Sequence, residues 1–142
     1  MTPQSETGTL LSGLRTVADG SLSAATNMPP AMYHSEAVLA LEQERVFGRD
    51  WVSPGLAAEI PEVGDYLVWS IAGQPVFCVR DGDGRVRTFS NVCRHRILTL
   101  VVGDGNSRRI TCPYHSWTYD LGGQLVGANP VSYTHLTLPT KA

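Results

Sequence analysis

The residues best suited to chemistry in this chain are scarce, and they are paired. Among 142 residues there are three cysteines and four histidines. Two of each form two short runs, Cys93-Arg94-His95 and, after 16 intervening residues, Cys112-Pro113-Tyr114-His115. Random placement of such rare residues seldom produces this pairing. Each run offers one thiolate and one imidazole. Two chemistries use such a set. One is structural zinc, tetrahedral, with two sulfurs and two nitrogens. The other is a two-iron, two-sulfide cluster in which cysteines hold one iron and histidines the other. Zinc sites usually separate paired ligands by two to four residues, whereas Cys93 and His95 flank a single residue. Zinc fingers also tend to pair Cys with Cys and His with His along the chain. Mixed runs suit two irons with different ligands, so the spacing favours the cluster and leaves zinc as the alternative.

The remaining candidates read as structural. Cys78 lies in the apolar run PVFCVR and is expected to be a buried core thiol. His34 is expected at the surface, and His135 receives no functional role.

Paired loops need a frame to position them, and the sequence points to β-structure. Residues 1–32, rich in Ser, Thr, Gly and Ala, read as a mobile arm with at most one short turn. Residues 33–50 read as a lead-in helix capped by Ser35, with Glu36 favourably placed against its dipole. Val38, Leu41, Phe47 and Trp51 give it an apolar stripe, and Gly48 a stop. Residues 51–128 then carry short strands at 66–71, 75–80, 85–89, 109–111, 117–119 and 124–126. Asp81-Gly82-Asp83-Gly84 and Gly122-Gly123 read as turns between them. No internal repeat is visible. Several short strands with frequent turns predict an antiparallel β-sandwich or barrel.

Composition narrows the functional classes. The length is that of one small domain. Apolar residues at 42% support a core, and a net charge of −2 provides no basic stripe for nucleic acid. No apolar run approaches the ~20 residues of a membrane span. No charged segment followed by an apolar one marks a secretory signal, so the expected location is the cytoplasm. An odd number of cysteines in a reducing compartment points to metal or catalysis rather than disulfides.

Two stretches carry a family resemblance. Asn91-Val92-Cys93-Arg94-His95-Arg96 and Cys112-Pro113-Tyr114-His115-Ser116-Trp117-Thr118-Tyr119 resemble the Rieske domain of ring-hydroxylating oxygenase alpha subunits. Glu44, Phe47, Trp51, Gly64-Asp65 and PVFCVRDGDG resemble the lead-in to that domain, so the likeness spans roughly Tyr33 to Ala128. It implies a mostly β fold: a Rieske-type antiparallel sandwich with a small cluster-binding subdomain, preceded by one N-terminal helix. It implies a [2Fe–2S] cluster, with Cys93 and Cys112 on the inner iron and His95 and His115 on the outer. It also implies partners: a reductase or ferredoxin as electron donor, and a catalytic domain with a mononuclear Fe(II), commonly in a homotrimer. Rieske proteins of respiratory complexes brace their two loops with a disulfide. Leu98 and Tyr114 stand at those positions here, and Trp117 replaces a serine that donates to the cluster. Fewer donors imply a potential near the low end of the Rieske range.

The chain departs from the family at two points. Ile97 stands where the family usually has Gly, a residue used where φ is positive. A β-branched residue suits such a position poorly and puts cluster assembly in question. The family's catalytic domain carries two His and a carboxylate on its iron, and no such motif occurs here. From about Pro130 the sequence VSYTHLTLPTKA no longer resembles the family and looks like translated adapter sequence. Residues 129–142 are therefore expected to be a non-native tail on an N-terminal fragment. Such a fragment would transfer electrons and not hydroxylate. The competing readings are a free-standing Rieske ferredoxin and a structural zinc domain.

Overall fold

The computed structural model describes residues 3–128 and Leu138. The chain divides into two compact units, residues 1–51 and 52–142.

The first unit is helical. Helix α1 spans Pro3–Ala18, where the sequence was expected to form a mobile arm with at most one short turn. The correction has a physical basis. Leu10, Leu14 and Val17 recur at helical spacing, and Leu10 is buried. The abundant Ser, Thr and Gly lower helix propensity without abolishing it. Helix α2 spans Glu36–Glu42. Ser35 caps it as expected, its Oγ accepting weakly from the Val38 N–H at 3.5 Å. Val38 is buried. A single π-turn, Gln43–Phe47, then extends the helix to Gly48. This wider turn shifts the helical phase. Phe47 is exposed, being half a helical turn away from Val38, and Trp51, beyond the helix end, is 92% exposed. Both were expected in the apolar stripe, which does not include them. Among the described residues no helix is long and apolar enough to cross a membrane.

The second unit consists of two antiparallel sheets. Strands β1 (Asp65–Ile71), β2 (Gln74–Arg80), β3 (Val86–Ser90) and β4 (Gly105–Asn106) form one, in the order β3-β2-β1-β4. Strands β5 (Ile110–Thr111), β6 (Thr118–Tyr119) and β7 (Leu125–Gly127) form the other, in chain order. The β1–β2 hairpin pairs Tyr66 with Val79 and closes through Ala72-Gly73, both at positive φ. That matches a two-residue turn following the strand twist. Asp81 closes β2–β3. Its Oδ1 accepts from the Asp83 and Arg85 N–H groups, and its Oδ2 from Arg87 Nε. Burial alone would raise this carboxyl, but those bonds outweigh it and hold Asp81 below its usual range. Val76, Phe77, Cys78 and Val79 of β2 are all buried, as an apolar central strand requires.

One hydrophobic core joins the two sheets. It contains Phe77, Val79, Phe89, Leu100, Ile110, Trp117, Tyr119 and Leu121 together with Cys93 and Cys112. At Gly123, φ is +88° and a Cβ would lie 2.5 Å from Phe89 Cε1, so only glycine fits. Of residues 129–142 only Leu138 is described. It is buried in this core, and its N–H donates to Gly123 O at 2.7 Å. His135 and the rest of the expected tail lie outside the described residues.

Candidate metal centre

The two Cys/His runs fold into loops of the same backbone design. In the first, Cys93 N–H donates to Leu98 O (2.8 Å) and Ile97 N–H to Cys93 O (2.9 Å). In the second, Cys112 N–H donates to Trp117 O (2.8 Å) and Ser116 N–H to Cys112 O (3.0 Å). Each loop sits on an antiparallel pair, Val92 with Thr99 and Thr111 with Thr118. In each, the fourth residue after the cysteine has φ +57°: Ile97 in one and Ser116 in the other. The doubt raised by Ile97 thus has a structural basis. The position is left-handed, it holds a β-branched residue, and 82% exposure gives Ile97 no burial in return. Such a conformation costs an L-residue about 1–2 kcal/mol.

The loops bury both candidate thiols and bring the two candidate imidazoles together. Cys93 and Cys112 are both buried in the core. The His95 and His115 rings meet edge to face with centroids 4.8 Å apart. His115 Nδ1 is buried with no hydrogen-bond partner. A buried polar atom in that state calls for an explanation such as a bound metal. Burial, followed by the His115 and Arg96 charges, holds His95 below the usual imidazole value. That favours the neutral form, which is the one that ligates. Burial pushes the Cys112 thiol up, and Cys93 beside it adds to this. Two buried thiols, two adjacent imidazoles and an orphaned nitrogen fit a [2Fe–2S] cluster with mixed ligands. Among the described residues, no three His, Cys, Asp or Glu side chains surround one point as a site for a single ion would require.

Neighbouring residues frame this set. Trp117 lies both in the core and against a candidate ligand. It is buried and stacks parallel on His95, with a centroid distance of 4.6 Å and an interplanar angle of 3°. Tyr114 packs on His115 at 3.8 Å. The side chains of Arg94 and Arg96 are exposed. Two further residues support this set. Tyr119 accepts from the Arg94 N–H (3.2 Å), and its hydroxyl lies 3.6 Å from Cys93 Sγ, within reach to donate to it as a thiolate. Burial and the Cys93 contact raise its pKa strongly, so it stays a neutral donor. Asn91 is fully buried and pins the base of the first loop. Its Nδ2 donates to Val101 O (2.8 Å), and its Oδ1 accepts from Leu100 N (3.2 Å) and Val101 N (3.0 Å). Tyr119 acts 25 and 26 positions away and Asn91 nine and ten, links that no local motif announces. Cys78 is a core thiol as expected, 3.2 Å from Thr88 Oγ1 and raised in pKa by burial. His34 is exposed.

The Rieske [2Fe-2S] domain family matches residues 50–137, beginning after Tyr33 and extending past Ala128, the bounds read from sequence. The alpha subunit of biphenyl 2,3-dioxygenase from Rhodococcus jostii is 42% identical over 100 residues, covering 70% of this chain and 22% of that subunit. The oxygenase subunit of glycine betaine monooxygenase from Chromohalobacter salexigens is 35% identical over 125 residues, covering 77% and 28%. Naphthalene 1,2-dioxygenase from Rhodococcus sp., solved with indole, superimposes with a TM-score of 0.79 at 33% identity, over 94% of this chain and 31% of that one. The chain thus spans about a fifth to a third of these proteins. The chain belongs to the Rieske [2Fe-2S] domain family, in the form carried by ring-hydroxylating oxygenase alpha subunits.

Proposed function

We propose that this domain relays single electrons, with Cys93 and Cys112 ligating one iron of its cluster and His95 and His115 the other. When bound, such a cluster stores one electron at a potential of roughly −150 to +300 mV. The observation that supports the reading is the pair of matched loops, each with one buried thiol and one partly exposed imidazole, the two imidazoles in contact and one with an orphaned buried Nδ1. The residues divide the work by burial. Cys93 and Cys112 sit in the core and keep water from the sulfur side. His95 and His115 are partly exposed, so the imidazole edge is where an electron leaves. A reductase or ferredoxin supplies that electron. The acceptor is the mononuclear iron of an oxygenase catalytic domain, in a neighbouring subunit of a trimer.

The relatives include both an aromatic dioxygenase and a glycine betaine monooxygenase. Relay to a second iron is the step common to both classes, so aromatic and quaternary-amine substrates stay equally compatible. The potential belongs in the lower part of the range. Leu98 and Tyr114 supply no bracing disulfide, and Trp117 supplies no serine-type hydroxyl. Tyr119 restores one donor to a cysteine sulfur and raises the value somewhat.

Anaerobic purification followed by iron and sulfide assay tests this reading. About two irons and two sulfides per chain are expected, with reversible one-electron reduction and no substrate turnover by the chain alone. Zinc without sulfide would overturn it in favour of a structural site.

A further inference from the structure

We infer that Trp117 and Tyr114 form an aromatic clamp that fixes the ring planes of His95 and His115 for metal binding. This rests on the cluster reading above and adds positioning residues to it. A histidine's χ2 is broad, so the backbone alone leaves the ring plane loosely set. Metal-binding histidines are usually oriented by a hydrogen bond from the ring's other nitrogen. Here planar packing does that work. Trp117, from the opposite loop, lies parallel to His95 at 4.6 Å with 3° between the planes. His95 meets His115 edge to face at 4.8 Å, and Tyr114 backs His115 at 3.8 Å and 35°. The four rings form one continuous run of contacts, Trp117–His95–His115–Tyr114, stacked at the first and edge to face in the middle. Its ends differ. Trp117 is anchored in the core, whereas Tyr114 is 57% exposed. The anchored end therefore holds its imidazole more firmly.

Three variants test the clamp: Trp117→Phe, Trp117→Met and Tyr114→Leu. Each is loaded with iron and sulfide. Iron release to a chelator, the EPR g-values of the reduced cluster and the midpoint potential are then compared with the wild type. Trp117→Phe keeps a ring, whereas Trp117→Met keeps apolar bulk without one. We expect iron release about threefold to tenfold faster in Trp117→Met, with shifted g-values, and release within about twofold of wild type in Trp117→Phe. Tyr114→Leu, at the exposed end, should accelerate release about twofold to threefold with a smaller g-shift. Equal behaviour of Trp117→Met and Trp117→Phe in g-values and release would overturn the clamp and make Trp117 a packing residue. If Trp117→Met fails to fold, Tyr114→Leu decides, because an exposed side chain can be removed without loss of core. Wild-type g-values and release in that variant would then overturn it. A wild-type chain that binds no iron and sulfide defeats the cluster reading itself, and the clamp with it. An iron-loaded wild type with unresponsive variants defeats the clamp alone.

Discussion

The loops Cys93–Leu98 and Cys112–Trp117 share a backbone and differ in nearly every side chain. Both are closed by the same two hydrogen bonds and rest on an antiparallel pair. Both place their fifth residue at φ +57°. Yet the histidine is the third residue of one loop and the fourth of the other. One loop meets its left-handed residue with Ser116, the other with Ile97. The comparison teaches that the ligand geometry is set by backbone closure. Residue types can vary within it where the main-chain bonds hold. Closure is not free of strain, however, and the first loop carries more of it.

Removing a ligand should break the comparison most completely. Cys112→Ser or His95→Ala should reduce iron from about two per chain to nearly none, because each loop supplies half of the set. The same assay on Cys78→Ser should leave iron unchanged, since that thiol bonds only within the core.

Unpinning one loop comes next. Asn91→Ala strands the Val101 carbonyl and amide, leaves the Leu100 amide only its 3.4 Å bond to the residue 91 carbonyl, and has no counterpart in the second loop. Unpaired buried groups cost about 1–3 kcal/mol each. Allowing for partial relaxation, a loss of about 3 kcal/mol is expected in urea unfolding.

Relieving strain should distinguish the loops by sign and size. Ile97→Gly removes a left-handed penalty of about 1–2 kcal/mol and adds unfolded-chain entropy worth about 0.5–1 kcal/mol. A net gain of about 0.5–1 kcal/mol is expected by the same urea assay, with improved iron incorporation. Ser116→Gly should gain less, because serine is not β-branched.

The smallest effect is electronic. Tyr119→Phe removes a donor from Cys93 Sγ, along with the acceptor of the Arg94 N–H. If the bond is about 1 kcal/mol stronger in the more negative, reduced state, the midpoint falls by about 40 mV in a redox titration.

The sequence made the frame and the candidate ligands legible for physical reasons. Strands β1 to β3 were readable because PVFCVR is apolar on both faces and Asp81–Gly84 carries turn chemistry. The ligand candidates were readable because Cys and His are scarce and sit in paired runs. Helix α1 was not, since its weak formers hide the spacing of Leu10, Leu14 and Val17. The exposure of Phe47 and Trp51 was not, since a loose apolar spacing was read as a stripe, although Phe47 falls opposite Val38 and Trp51 beyond the helix end. The equivalence of the two loops was hidden because C-x-H and C-x-x-H look like different motifs. It appears only in main-chain hydrogen bonds. Asn91 and Tyr119 act on residues distant in sequence, which only the folded chain brings near. The strain at Ile97 was legible, because the expected glycine already implied a positive φ.

The central claim is a cluster held by two thiolates and two imidazoles. Electron–nuclear double resonance on the reduced protein, grown with ¹⁵N-labelled histidine, tests it most directly. Two strongly coupled histidine nitrogens, both lost in a His95→Ala, His115→Ala double variant, are the expected result. A reduced cluster with no histidine coupling, or a metal centre that is silent because it is zinc, would contradict the claim.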